Sequence, residues 1–337
     1  MWLNLEEIAP YVIDCFVDNM RLEYDRVTHT THNVAGVDIK TSQFGHTKTV
    51  EYLDPSELSQ TSYFGPIVDS LVAEGYVRNV SIRGAPYDFR KAPNELGEFY
   101  VKLKSLIEET YTLNNNSRVT LVGHSMGNPV TLYFLNHQTQ AWKDKYIQRF
   151  ITLAGVWGGV IKTLRLFASG DSLGLSLVVS PLKVRPEQRS MPSTAWLMPS
   201  DLFWNPDEIL IQQPKRNYTL HGYYMRQDTE NLIRDLTPPG VEVHCLHGNG
   251  LPTPGRLVYD VKSWFDYQPS VIPDDGDGTV NIRSLLGCLQ WQKKQKQKVY
   301  HEIFKDAEHM KILDMPEIIA YIKHLQVSEA HCLYSID

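Results

Sequence analysis

The chain has 337 residues, of which 42% are hydrophobic and 21% charged, with a formal net charge of -6. That is enough apolar material for one large core carrying a cap, and nothing marks a second independent domain. The acidic balance, interrupted only by the short basic run at 293–298, argues against nucleic acid as a partner, and no apolar run is long enough to span a bilayer.

Near the start, Trp2, Leu5, Ala9, Val12 and Phe16 recur at spacings of three and four, with Glu6, Asp14 and Asp18 elsewhere around the wheel. This predicts an amphipathic segment whose apolar stripe packs on a core by default. Residues 59–73 then predict a helix, 76–82 a strand, 94–111 a helix and 118–122 (Arg-Val-Thr-Leu-Val) a buried strand. Residues 121–127 read Leu-Val-Gly-His-Ser-Met-Gly, a G-x-S-x-G turn entered from that strand and followed by a helix-permissive stretch at 128–135. A bare G-x-S-x-G arises by chance in roughly one chain in ten of this length. With the strand before it and the helix after it, the pattern predicts a nucleophile elbow. Gly123 and Gly127 are expected to remove Cβ atoms that would clash in the sharp turn, Ser125 is the candidate nucleophile, and the Met126 N–H at the helix start is a candidate oxyanion donor. A further strand is predicted at 149–153, a long Pro-, Ser- and aromatic-rich insertion at 166–230, and the sheet resumes at 241–247. Strands separated by helices imply a mostly parallel sheet covered on both faces, an α/β class.

A serine nucleophile in such a fold needs an acid and then a base further along the chain. Residues 274–280 read Asp-Asp-Gly-Asp-Gly-Thr-Val, a turn-forming cluster in which Asp277, flanked by glycines, is the candidate acid; a plain solvated turn is the competing reading. A calcium loop fails, because counting twelve from Asp274 or Asp275 reaches Leu285 or Leu286 rather than a glutamate. Residues 298–304 alternate like a strand and 315–325 have helical periodicity, so the loop between them carries His309, the candidate base. His301 falls inside the strand, His324 on the helix and His331 in the tail. The task of His309 is to take the Ser125 proton while Asp277 holds its tautomer.

Gly-His-Ser-Met-Gly at 123–127, Arg-Gly-Ala-Pro-Tyr-Asp-Phe-Arg at 83–90, Ala-Trp-Lys-Asp-Lys-Tyr-Ile at 141–147, Met-Arg-Gln-Asp-Thr-Glu at 225–230 and Asp-Gly-Asp-Gly-Thr-Val at 275–280 together resemble the lecithin:cholesterol acyltransferase family, in its lysosomal phospholipase A2 (group XV) branch. The resemblance covers nearly the whole chain. It implies an α/β-hydrolase core at 31–165 and 231–337, a cap with a lid at 166–230 and a small membrane-binding subdomain at 1–30, where part of the N-terminal apolar stripe would meet lipid. It also implies a serine-dependent phospholipase A and lipid O-acyltransferase that moves a fatty acyl group from a glycerophospholipid to water or a lipid alcohol, at a phospholipid membrane surface. The chemistry needs neither metal nor organic cofactor. By the same matching Ser125, Asp277 and His309 form the triad, Met126 is an oxyanion donor, and Lys162, Thr279 and Trp157 are expected beside the substrate. A general carboxylesterase or neutral lipase using the same triad is the rival enzyme.

The family carries a strand and a Pro-Gly loop ahead of the Trp-Leu-Asn-Leu segment, which here begins at Trp2, and that loop supplies a second oxyanion donor. The expectation is therefore a chain lacking that donor, with the further rival of a low-activity lipid-binding chain. The family is also longer between 217–220 and 225–228, where only His221 to Tyr224 intervene. Four cysteines and sequons at Asn79, Asn115 and Asn217 point to a secretory route, and the resemblance adds a lysosomal or secreted location and a Cys245–Cys288 bridge. Cys15 and Cys332 are expected as free thiols, and no signal peptide is expected ahead of Met1.

Overall fold

The computed structural model describes residues 12–172, 179–220, 229, 231–232, 235–260 and 266–332, with the main chain alone for 327–332. The N-terminal part runs through α1 (Ile13–Met20), the β1 (Leu22–Asp25) and β2 (Thr30–Asn33) hairpin, α2 (Lys48–Glu51), α3 (Gly65–Ala73) and α4 (Gly97–Leu113). The central sheet begins with β3 (Val119–His124), followed by α5 (Gly127–Asn136), α6 (Gln140–Tyr146) and β4 (Ile147–Leu153). Beyond it lie α7 (Lys162–Ala168), α8 (Pro181–Ser190), α9 (Pro192–Trp196), β5 (Ile211–Gln213) and β6 (Arg216–Tyr218). The chain returns through β7 (Glu242–Asn249), β8 (Thr253–Val258), β9 (Ser270–Asp274), α10 (Ile282–Leu285), β10 (Val299–Lys305) and α11 (Pro316–Cys332).

Four of these strands form the central sheet in the order β3, β4, β7, β10, every pairing parallel. The pleat sends alternate side chains to opposite faces. Ile151, Leu153 and Leu246 meet α3 through Ile67 and Leu71 and α11 through Ile318 and Ile322. Phe150, Val243 and Cys245 meet α4 through Leu103 and Ile107 and α5 through Leu132, Phe134 and Leu135. Both faces are thus sealed by helices, as near-continuous apolar strands require. This is the α/β-hydrolase arrangement, with its C-terminal strand ends free to carry chemistry.

A second sheet, ordered β6, β5, β8, β9, packs with α7 around Trp204, Leu210, Ile211, Leu257 and Tyr259. It draws on 211–218 inside the expected insertion and on 253–274 outside it, because β5 pairs in parallel with the distant β8. At the N-terminus Ile13, Phe16 and Val17 pack on Val179 and Val184, while Val12 is 37% exposed. The inward stripe of α1 is therefore occupied by α8; Trp2, Leu5 and Ala9, the segment from His221 to Tyr224 and the Cys332 side chain lie outside the described residues.

Two predicted elements differ from what forms. The 59–73 helix is a single 3-10 turn at Ser59–Thr61 followed by α3, which opens at Gly65 with Pro66 in its first turn, a position where the missing N–H costs nothing. The 76–82 strand is absent. Asn79 turns left-handed at φ 64° and its N–H bonds the Ile82 carbonyl at 2.8 Å, so the segment closes on itself and leaves Val77 and Val80 exposed.

Cys245 on β7 is bonded to Cys288 in the 3-10 segment Leu286–Lys293, across a sequence separation of 43. Cys15 is exposed and free, and Asn79, Asn115 and Asn217 are all exposed. By the loop-entropy relation a bridge of this span stabilises by about 4 kcal/mol. Replacing both cysteines with alanine should lower unfolding free energy by about 2 to 5 kcal/mol in a denaturant titration, and unreduced peptide maps of the parent should show the linked pair.

Candidate active site

Ser125 sits at the C-terminal end of β3, half-buried, with φ 50°. A non-glycine residue in this region is strained, and the surroundings must hold it there. Its N–H donates to the Leu153 carbonyl at 3.0 Å. Asn128, fully buried, donates its Nδ2 to the Ser125 carbonyl at 3.1 Å and to the Leu153 carbonyl at 2.8 Å. A Cβ on Gly123 would lie 2.5 Å from Asn128 Oδ1, so glycine is required there. Gly127 differs: a Cβ would meet only Tyr87 Oη, at 3.9 Å, an ordinary contact. The clash expected at both glycines therefore exists at one.

His309 Nε2 accepts from Ser125 Oγ at 2.9 Å, and its Nδ1–H donates to Asp277 Oδ2 at 2.8 Å. The second carboxylate oxygen of Asp277 accepts from the N–H groups of Thr279 at 3.0 Å and Val280 at 2.7 Å. Gly278 makes this turn possible at φ 89°, and its N–H is held by Thr253 Oγ1 at 2.9 Å. The base loop is fastened to the acid turn as well, through the His309 N–H on the Asp277 carbonyl at 3.0 Å. Asp277 is wholly buried and His309 nearly so. Burial pushes the Asp277 carboxyl up, but the His309 imidazole and the Val280 and Thr279 N–H groups outweigh it and hold the carboxyl below its usual range.

Two further residues belong to the site. His124, 4% exposed, faces the Tyr63 hydroxyl across 2.6 Å at Nδ1 and the His309 carbonyl across 2.8 Å at Nε2. Burial, then the neighbouring His309, lower its pKa to about 3, so it is neutral. His124 is the residue before the serine in the elbow motif; Tyr63, 61 residues earlier, carries no sequence signal.

Met126 begins the helical turn at φ -59°, ψ -26°, and its N–H belongs to the first-turn donors that have no intrahelical acceptor. Thr279 directs its own N–H to Asp277. Lys162 is the half-buried first residue of α7, and the preceding Ile161 N–H reaches Asn281 Oδ1 at 3.4 Å, which ties this helix start to the acid turn. Trp157 is elsewhere: 2% exposed, it packs edge-to-face on Trp291 with centroids 4.8 Å apart, inside the core beside Cys245 and Cys288. Among the described residues no group of three or more His, Cys, Asp or Glu side chains is placed to hold a metal ion.

A serine on a strained strand-to-helix turn, served by a histidine and an aspartate from later loops of a parallel sheet, is the working geometry of α/β-hydrolases. Within that class the chain belongs to the lecithin:cholesterol acyltransferase family, whose sequence profile matches residues 1–237 and 229–316. It is 46% identical over 342 residues to the lysosomal phospholipase A and acyltransferase of Rattus norvegicus, covering 98% of this chain and 82% of the relative. Identity to the Homo sapiens phosphatidylcholine-sterol acyltransferase is 40% over 326 residues, 93% of this chain and 73% of that protein.

The clamp on Ser125 predicts unequal tolerance at the two elbow glycines. Gly123→Ala should destabilise by about 1 to 3 kcal/mol and impair turnover, whereas Gly127→Ala should leave both near parental values; thermal unfolding and an esterase assay compare them. Because the Asp277 pKa is depressed in the folded chain, its contribution to stability is present above the ordinary carboxylate pKa and is lost as pH falls through the depressed value. The stability gap between parent and Asp277→Asn should therefore be widest near neutral pH and close below about pH 4. The same variant should lose about 10⁴ in kcat through the wrong His309 tautomer.

Proposed function

We propose that this chain is a serine-dependent phospholipase A and lipid O-acyltransferase acting at a membrane surface. Ser125 Oγ attacks an ester carbonyl carbon of a glycerophospholipid while His309 Nε2 takes its proton, and the Met126 N–H steadies the oxyanion. The tetrahedral adduct collapses, the lysophospholipid alkoxide leaves with the proton from His309, and Ser125 is left acylated. Water or a lipid alcohol then gives its proton to His309 and attacks the acyl carbon, and as the acyl–Oγ bond breaks His309 returns that proton to Ser125 Oγ. Asp277 holds the imidazole in the tautomer both halves need and stabilises the imidazolium. The continuous 2.9 and 2.8 Å chain from Ser125 through His309 to Asp277 carries this reading. The names of the relatives supply the substrate class.

Lys162 is our candidate for the phosphate of the head group, since a half-buried ammonium heading a helix tied to the acid turn offers a point charge there. Thr279 is the second candidate, through its side chain. For the lipid surface we favour the segment up to residue 30, where Val27 is 88% and Tyr24 48% exposed, with 166–230 acting as the cap. Among the described residues no helix is long and apolar enough to cross a membrane. We place the protein in the lysosome lumen or the secretory route, in keeping with its disulfide.

Phospholipid vesicles with and without a ceramide-type lipid alcohol test the reading. The acylated alcohol should accumulate at the expense of free fatty acid, and Ser125→Ala should lower both products by at least about 10³-fold. Faster turnover of triglyceride than of phospholipid, with no acyl transfer at any alcohol concentration, would instead identify a neutral lipase.

A further inference from the structure

The main chain of the candidate base is bracketed from two sides. Its N–H is held by the Asp277 carbonyl at 3.0 Å, and its C=O by His124 Nε2 at 2.8 Å. The second contact fixes a tautomer. A carbonyl oxygen only accepts, so the His124 proton sits on Nε2, Nδ1 is left with a lone pair, and the Tyr63 hydroxyl donates to it at 2.6 Å. Each polar atom of the His124 ring then has one partner. The rings interlock as well, His124 lying 4.9 Å from His309 and 5.3 Å from Tyr63 between centroids.

We propose that His124 is a positioning residue for the base: a neutral imidazole, locked by Tyr63, that holds the His309 loop at the reach its ring needs for both Ser125 and Asp277. This rests on the reading of Ser125, His309 and Asp277 as the reacting triad. Neutrality is part of the task. His309 becomes a cation each time Ser125 attacks, and a second cation 4.9 Å away would oppose that step. The charged and titratable groups facing His124 are His309 itself, Asp277 beyond it and Tyr63, with Tyr87 next to Tyr63. Burial pushes both phenols up, so they stay protonated, and Asp277 is already paired with His309. The His124 side chain therefore does not exchange protons with substrate; it acts through where it keeps its neighbour. An ångström of misplacement at a reacting group costs on the order of 10²-fold in rate.

The test compares parent, His124→Phe, His124→Gln and Tyr63→Phe, each with kcat and KM on phospholipid vesicles, a pH profile, thermal unfolding and fluorophosphonate labelling. His124→Phe, which keeps a ring but removes the donor, should lower kcat by about 10- to 100-fold with KM nearly unchanged. His124→Gln, whose amide can still donate to the His309 carbonyl and never titrates, should recover kcat to within about fivefold and keep the acid limb of kcat/KM at its parental pKa. Tyr63→Phe removes only the hydroxyl that locks the tautomer, so it tests the idea even where His124→Phe folds badly; its kcat should fall about three- to tenfold at constant KM. Parental kcat in both phenylalanine variants, or an acid limb that moves in His124→Gln, overturns the proposal. Labelling of the parent that persists in Ser125→Ala overturns the triad reading beneath it, and the two failures are thereby distinct.

Discussion

The left-handed backbone of Ser125 is the constraint around which the site is arranged. Such a conformation costs on the order of 1 to 3 kcal/mol and persists only where its surroundings over-determine it. Here the surroundings are the ends of neighbouring strands. The Ser125 N–H closes on Leu153 at the end of β4; the next residue, Ala154, is also left-handed at φ 50°, and its N–H closes on Leu246 of β7. On the far side of β7 the N–H of Asp306, the residue after β10, closes on Asn249 at the end of β7. Each strand of the parallel sheet thus terminates against its neighbour, and the sheet register carries the placement of Ser125 across three strands to the loop that bears His309.

Electrostatics at this edge follow from the same crowding. A wholly buried carboxylate is costly unless it is paired and hydrogen-bonded. Asp277 meets that demand with two backbone N–H groups on one oxygen and the His309 ring on the other. Asp277 is 0% exposed, so none of its hydrogen-bonding capacity points to bulk water. The Cys245–Cys288 bridge anchors the segment just past this turn to β7, and Trp157 and Trp291 fill the space beside it.

Much of this was legible because it is local. The elbow, the glycine-flanked acid turn and the loop after the last strand are each encoded within a few residues, and their order along the chain supplies the rest. Strands β4, β7 and β10 are continuous apolar or alternating runs that read correctly to within two residues. What failed was what depends on a distant partner. The 76–82 segment has strand-like residues, yet a ladder needs a neighbour, and the Asn79 turn closes the chain on itself instead. The second sheet was split between two expected regions because β5 and β8 are far apart in sequence. Trp157 was expected beside the substrate through the family resemblance alone, and its burial against Trp291 is a packing contact that the sequence does not announce. Tyr63 meets His124 across 61 residues, a contact that no periodicity announces.

The second sheet also positions Asp277. β9 ends at Asp274, three residues before Asp277, and β8 supplies both the Thr253 hydroxyl that holds Gly278 and the Pro254 carbonyl that accepts from Asn281 Nδ2 at 2.9 Å. Arg283 then bridges Glu208 at 2.9 Å and Asp274 at 3.3 Å, with its guanidinium over the Trp204 ring. Thr253 and Asn281 are fully buried, so their two hydrogen bonds hold geometry more firmly than surface pairs would. Asp277 is therefore delivered by the outer sheet, while Ser125 and His309 come from the central one. Any displacement of β8 and β9 would carry Asp277 away from His309.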